Sequence, residues 1–264
     1  MPSKTRRTSK PILAIEPINA DSDAARITRP HNAVAERLGI AILGGDYVPG
    51  DTLPNEDEAS GQMQVSRSAY REAIRTLAAK GLVRSRPKVG TRVTEPADWN
   101  LLDVDVLKWM FAREPAPRFI ADLFALRLMV EPTAARLAAA NWTEPSFREL
   151  RAAMDGLVSH EPSSEAWQNA DKQFHEAIIR LADNAFLTTL SIAITTAVRL
   201  TTMYKLSEPG IINNSTVDHL RVYEAIAARD GALAEARVKT LIETARDLTV
   251  AIGQRPGRRR PSTT

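Results

Sequence analysis

Between Ser66 and Leu77 the chain reads Ser-Arg-Ser-Ala-Tyr-Arg-Glu-Ala-Ile-Arg-Thr-Leu. Helical spacing puts Arg67, Arg71 and Arg75 on one stripe and Tyr70, Ala73, Ile74 and Leu77 on an adjacent face. A helix that packs by its apolar face and presents arginines beside it suits the major groove of DNA. The planar guanidinium matches both phosphate oxygens and the O6/N7 edge of guanine. From residue 66 to residue 92 eight Lys/Arg (Arg67, Arg71, Arg75, Lys80, Arg84, Arg86, Lys88, Arg92) stand against one acid, Glu72, a local charge of +7.

The net charge of +3 over 264 residues hides this asymmetry. Acids cluster ahead of the arginine helix, in Asp46, Asp51, Glu56, Asp57 and Glu58, and residues 96–254 hold sixteen bases against twenty-one acids. Halves of opposite sign point to one module for a polyanion and another for something else. The length favours two domains, and the sequence contains no run that reads as a bilayer span, so no membrane role is expected. Cysteine is absent, which excludes a disulfide framework, a thiolate zinc site and a cysteine nucleophile. Any metal must then be held by His and carboxylates. Residues 1–29 lack the apolar core of a signal peptide and read as a flexible basic arm of a cytoplasmic protein. Residues 253–264, with Arg255, Arg258, Arg259 and Arg260, read as a basic tail.

The first module, residues 30–95, follows from local signals. Asn32 to Leu43 has helical period and stops at Gly44-Gly45. Asn55 or Asp57 caps a second short helix running to Met63, and Ser66 caps the third. Two short helices joined by Met63-Gln64-Val65 form a helix-turn-helix. Leu82–Arg86 and Thr91–Val93 read as strands around Pro87-Lys88-Val89-Gly90, a hairpin wing whose glycine lets backbone approach DNA closely.

At these residues the chain resembles the GntR family of bacterial transcription regulators. The matching pattern is Gly45-x-Tyr47-x-Pro49-Gly50-x-x-Leu53-Pro54-x-Glu56, then Val65-Ser66-Arg67-x-x-x-Arg71-Glu72-Ala73-x-x-x-Leu77-x-x-x-Gly81-Leu82-Val83, then Pro87-x-x-Gly90-x-x-Val93. The resemblance implies DNA contacts by Ser66, Arg67 and Arg71, with Ser68 at a neighbouring recognition position and Lys88 and Gly90 in the wing. Arg75, on the same stripe, either joins them or simply faces water. Asp57 stands where some members have an arginine.

Residues 96–116 read as a junction, and residues 117–252 as an antiparallel all-helical bundle with helices near 117–140, 144–158, 164–183, 185–205, 214–229 and 231–252. In it Asp171 and His175 lie one turn apart on one face, where a carboxylate and an imidazole can share a metal ion, share a ligand hydroxyl or simply bond each other. His219 lies on a later helix from which a second imidazole can converge. Arg127 sits within Leu126–Val130 and needs an anion, which is either an effector or Glu131 one turn on. Arg199 and Tyr204 are further candidates for an anionic effector.

The bundle resembles the FCD-type ligand-binding domain of the FadR subfamily, through Arg127-x-x-x-Glu131, Asp171-x-x-Phe174-His175-x-x-Ile178 and Asp218-His219-x-x-x-x-x-Ala225-Ile226. That resemblance implies a divalent metal, zinc or similar, on Asp171, His175 and His219, with the family's remaining histidine position falling on Leu241. Trp99-Asn100-Leu101-Leu102-Asp103 and Leu190-Ser191-Ile192-Ala193-Ile194 resemble segments of sugar-acid-operon members. The implied effector is a small carboxylate such as D-galactonate or a related aldonate or uronate. The expected protein is a mostly α-helical, effector-released repressor that binds a palindromic double-stranded DNA operator as a homodimer, and not an enzyme. Two alternatives remain at this level: a metal-dependent enzyme fused to a DNA-binding head, and a structural nucleoid-binding protein.

Overall fold

The structure is a computed structural model that describes residues 30–162, 164–208 and 215–254. The arm read for residues 1–29, and the part of the tail beyond residue 254, lie outside the described residues. The chain divides into two compact units between Arg113 and Glu114.

In the first unit, α1 (Pro30–Leu43), α2 (Glu56–Met63) and α3 (Arg67–Ala79) precede a hairpin of β1 (Val83–Arg86) and β2 (Gly90–Val93). The hairpin is antiparallel, with Val83 opposite Val93 and Arg86 opposite Gly90. Asn55 caps α2: its side chain accepts from the amides of Asp57 and Glu58, and the Glu58 carboxylate in turn accepts from the Asn55 amide. This reciprocal box saturates the first turn of a helix too short to hold itself together. The amide of Ala69 donates to Ser66 Oγ at the start of α3. Val34, Leu38 and Ile42 of α1, Leu53, Met63 of α2, Tyr70, Ile74 and Leu77 of α3, and Val83 and Val93 of the hairpin are buried in one core. Tyr70 spends its hydroxyl on the Pro54 carbonyl at 2.7 Å, fixing the segment before α2 to α3.

The stretch read from sequence as a junction holds packed structure. Following a short 3₁₀ turn at Pro96–Asp98, α4 (Val104–Phe111) is capped by Asp103 and belongs to the first unit. Val106 and Trp109 join the same core, and the Trp109 ring lies where a side chain at Gly39 would stand. Lys80, at the end of α3, reaches Asp103 at 2.7 Å and Asp105 at 2.8 Å, so two carboxylates fix α4 against it. The heptad-like signal of α4 is too short to register as a helix, and its burial comes from partners far away in sequence.

The second unit is helical: α5 (Pro117–Asn141), α6 (Glu144–Ser159), α7 (Glu165–Leu181), α8 (Ala185–Leu206), α9 (Thr216–Ala227) and α10 (Gly231–Gly253). α5 packs on α10 and α7, α7 is flanked by α6 and α8, and α9 lies against α10 and α6. The buried stripe of α5 runs through Leu123, Phe124, Arg127, Val130 and Glu131, while Leu126 and Leu128 are only part-buried. A charged pair therefore occupies the stripe that an ordinary core helix fills with apolar side chains. By length and composition α8 could cross a bilayer, which the sequence reading did not find. Its threonines and alanines dilute the apolar signal, and it turns Ala193, Ile194, Ala197, Val198, Thr201, Thr202 and Lys205 into the unit's interior.

Gly81 has φ +80°, and a Cβ there would lie 2.0 Å from the Asp98 carbonyl oxygen. Gly81→Ala is expected to destabilise the first unit by roughly 2–4 kcal/mol, from left-handed backbone strain and a clash with rigid main chain. Urea unfolding of the variant checks this, and a midpoint equal to wild type contradicts it.

Candidate functional site

The first unit exposes every residue that the sequence marks for DNA: Ser66, Arg67, Ser68, Arg71 and Arg75 on and before α3, and Lys88 and Gly90 at the hairpin tip. Lys88 (φ 62°) and Gly90 (φ 91°) both take the left-handed conformation that closes the tight turn. The arginines are engaged. Arg71 donates Nε and Nη2 to the two carboxylate oxygens of Glu56 at 3.0 and 2.8 Å, a two-point pair between α3 and α2. Arg67 Nε meets Asp57 at 2.9 Å, and Arg75 pairs with Glu72 at 2.6 Å. Glu56 is held below the usual carboxylate range by its hydrogen bonds to Arg71. All these groups are largely exposed, so water and salt screen them and phosphate oxygens can replace the carboxylates at little cost. The sequence reading did not pair Glu56 with Arg71 or Asp57 with Arg67. The signal was present in acids at the first turn of one helix and arginines on the next.

The second unit gathers its buried charges around one cleft that opens to solvent. Arg127 of α5, Asp171 and His175 of α7, Lys205 of α8, His219 of α9 and Leu241 of α10 all line it. Asp171, His175 and His219 are buried, and one ligand atom from each falls within 4.8 Å of the others. Arg199 and Tyr204 are not among the lining residues. Arg199 faces Asn169, and the Tyr204 hydroxyl donates to Glu114. Helical geometry explains the miss, since the buried stripe of α8 passes through Val198, Thr201, Thr202 and Lys205 and leaves Arg199 and Tyr204 at its margins. A lysine on that stripe was the readable signal for Lys205.

Glu131 organises the cluster. Its Oε1 accepts from Arg127 Nε at 2.8 Å and its Oε2 faces His175 Nδ1 at 2.5 Å. Of the two partners the sequence left open for Arg127, the structure pairs it with Glu131, and Arg127 Nη1 also reaches Thr201 at 3.3 Å. Burial pushes the Glu131 carboxyl up, but the charges of Arg127 and His175 and the hydrogen bonds from both overcome it and hold the group at about 2. Asp171 follows the same logic: burial opposes ionisation, and His219, His175 and Lys205 hold it at about 2. Asp171 Oδ2 accepts from Thr202 at 3.2 Å. Lys205, by contrast, is pushed down to about 8 by burial.

The imidazoles test whether a metal fits. His219 Nδ1 lies 2.7 Å from the Ser215 carbonyl oxygen, which only an N–H can satisfy. His175 Nδ1 is committed to Glu131 in the same way. In the neutral rings that a metal requires, both Nε2 atoms are then left as lone pairs. His219 Nε2 has no hydrogen bond although it is buried, and it lies 3.0 Å from Asp171 Oδ1, with His175 Nε2 at 3.7 Å from that same oxygen. Acceptors facing one another at these distances repel unless a cation lies against them. A carboxylate behind one imidazole and a carbonyl behind the other are the outer partners that fix metal-binding histidines. The donor set fits a divalent metal. Leu241, in the same cleft, adds no donor, so the protein offers three.

Comparison with known proteins agrees with both units. Residues 30–93 match the family described as bacterial regulatory proteins, gntR family, and residues 122–244 match the FCD domain. The chain is 33% identical to the galactonate operon transcriptional repressor of Escherichia coli strain K12, over 78% of this chain and 90% of that protein. It is 37% identical to the uncharacterized HTH-type transcriptional regulator YieP of the same organism, over 66% of this chain and 76% of that one. A solved structure described as "Lar controls the expression of the Listeria monocytogenes agr system and mediates virulence" shares the fold, with a TM-score of 0.60 at 21% identity over 84% of this chain and 97% of that one.

Glu131→Ala removes the partner of a buried guanidinium and of a buried imidazole together. It is expected to destabilise the second unit by about 3–5 kcal/mol, the magnitude typical of breaking a buried pair from one side. Chemical denaturation followed by circular dichroism measures this, and a change below about 1 kcal/mol would mean that the pair contributes little.

Proposed function

The chain belongs to the GntR family of bacterial regulatory proteins and carries an FCD domain, and we propose that it is a ligand-released transcriptional repressor for a sugar-acid operon. The relatives' names are those of transcription regulators, not enzymes. The observation that carries the reading is the buried Asp171/His175/His219 cluster in a solvent-open cleft, joined in one chain to an exposed arginine stripe on a helix-turn-helix.

In this reading α3 enters the major groove of an operator. Arg67 and Arg71 exchange Glu56 and Asp57 for phosphate or guanine, Ser66 and Ser68 sit at the backbone, and Arg75, Lys88 and Gly90 meet the flanking phosphates. The protein works in the cytoplasm as a homodimer, whose two-fold axis matches a palindromic site. Exposed Ile192 and Met203, eleven residues apart and so close to three turns apart on one face of α8, support a contact between copies. Residues 30–95 form the reading head and residues 117–252 the sensing and pairing bundle.

Asp171, His175 and His219 would hold a divalent metal, zinc or similar. With Leu241 adding no donor, the ion would keep open positions, and it would supply a Lewis-acidic anchor for anionic oxygen. Arg127 keeps α5 in register with the cluster through Glu131 and borders the space an effector would enter. The acid effector would release DNA only to the extent that it binds the operator-incompetent arrangement more tightly than the competent one. D-galactonate is the leading candidate, supported by similarity to the galactonate operon repressor.

Ligand binding to the folded state raises its melting temperature by mass action. In a thermal-shift series, D-galactonate or a close aldonate is expected to raise the Tm of the purified chain, and chelator treatment to abolish that rise. A rise that survives the chelator would remove the metal from the mechanism, and no rise with any sugar acid would overturn the effector assignment.

A further inference from the structure

The other buried charged groups of the second unit lie against partners: Arg127 has Glu131 at 2.8 Å, Glu131 also has His175, and Asp171 lies 3.0 Å from His219 at the three-donor cluster. Lys205 does not fit this pattern. It is 4% exposed and lines the cleft, yet it makes neither a side-chain hydrogen bond nor an ion pair with any of the described residues. The charge of Asp171 acts on it from beyond ion-pair distance, but the carboxylates near it have nearer partners. Asp171 faces both imidazoles and accepts from Thr202, Glu131 is shared by Arg127 and His175, and Asp218 pairs with Arg221 at 2.9 Å. Residues 209–214, which follow α8 in sequence, read Pro-Gly-Ile-Ile-Asn-Asn and bring no acid. The other buried lysine of the described chain, Lys80, has two carboxylates within 2.8 Å.

An unpaired buried ammonium is costly, and a chain that keeps one over a leucine or methionine forgoes stability there. We infer that Lys205 is an anion-binding residue of the cleft, beside the metal site, and that it pairs with the carboxylate of a small polyhydroxy acid. Thr244 and Ser215, which line the same space, are neutral and polar and suit the hydroxyls of such a ligand. Val198 and Leu248 add apolar surface to the same lining, which lowers the local dielectric around an ion pair. A neutral sugar alcohol of the same size would leave the ammonium unanswered, so the site selects for the acid. The inference rests on the effector reading above and adds to it the group that recognises the charge, a role the sequence had spread over Arg127, Arg199 and Tyr204.

Lys205→Met keeps the length and apolar stem of the side chain and removes the charge. The full-length wild type and variant are titrated calorimetrically with sodium D-galactonate, sodium D-gluconate and neutral galactitol. Metal content and ligand-free melting temperature are measured on the same samples. Wild type is expected to bind an acid and not galactitol. The variant is expected to lose about tenfold or more in acid affinity, to keep its metal, and to melt at the same temperature or higher. Equal acid affinity in wild type and variant overturns the role of Lys205 and leaves the effector reading standing. A lower melting temperature with loss of metal makes the lysine a structural element and also overturns it. If neither acid binds wild type, the effector reading itself falls. Should the methionine variant not fold, Lys205→Gln carries the same comparison.

Discussion

Glu131 joins the buried charges of two helices: one carboxylate oxygen takes the guanidinium of Arg127 a turn earlier on α5, and the other takes the ring of His175 on α7. From that bond the rest of the cluster follows. It fixes which nitrogen of His175 carries a proton, leaves Nε2 aimed at Asp171, and, with His219 fixed by its own carbonyl partner, sets three donors against one point. Apolar side chains filling the same stripe of α5 would make a more stable bundle at far lower risk of leaving a charge buried alone. Pro132 directly follows Glu131 inside α5, where it removes an amide from the helix ladder, so this turn is already held by tertiary packing more than by local propensity. The stability given up at this point of α5 is the physical ground for treating the cluster as a site and not as core.

The DNA-reading unit solves the opposite problem. Its arginines are exposed and would repel one another along one stripe, and the acids of the α2 first turn and Glu72 neutralise them. Those pairs are weak in water, which suits the proposed exchange of a carboxylate for a phosphate. The α2 acids also sit at a helix N-terminus, where negative charge is favoured whether or not the arginines remain. Asp57 thereby acquires a reason: where some family members have an arginine, this chain has an acid that engages Arg67.

Much of this was legible in the amino-acid sequence. The helices of the second unit begin and end close to the Pro, Asn and Gly punctuation that marked them, and Ser66 caps α3 as its side chain predicts. The three-helix head and hairpin followed from local periodicity and turn chemistry. Asp171, His175 and His219 came from one-turn spacing plus family resemblance, and the fold brings them together. What escaped were contacts that depend on which helix lies next to which. α4 hid in the junction because its burial is supplied by Gly39 and Lys80. Lys205 hid because apolar periodicity discards a lysine, whereas Arg199 and Tyr204 drew attention by type and proved to lie off the buried stripe. Partner choice among charges, as for Arg127 and Arg71, is a property of three-dimensional neighbours and cannot be counted off a helix.

The central claim is that occupancy of the cleft governs the grip of the arginine helix on DNA. The most direct measurement is fluorescence anisotropy of the full-length chain on a duplex selected by it from a random pool, with and without saturating D-galactonate or whichever aldonate binds. The acid is expected to raise Kd for the selected duplex by roughly 5- to 150-fold, the usual span of an allosteric coupling. Arg71→Ala is expected to bind that duplex about tenfold or more weakly without any acid. A Kd that no bound acid changes, alongside an Arg71→Ala variant that binds as well as wild type, would contradict it.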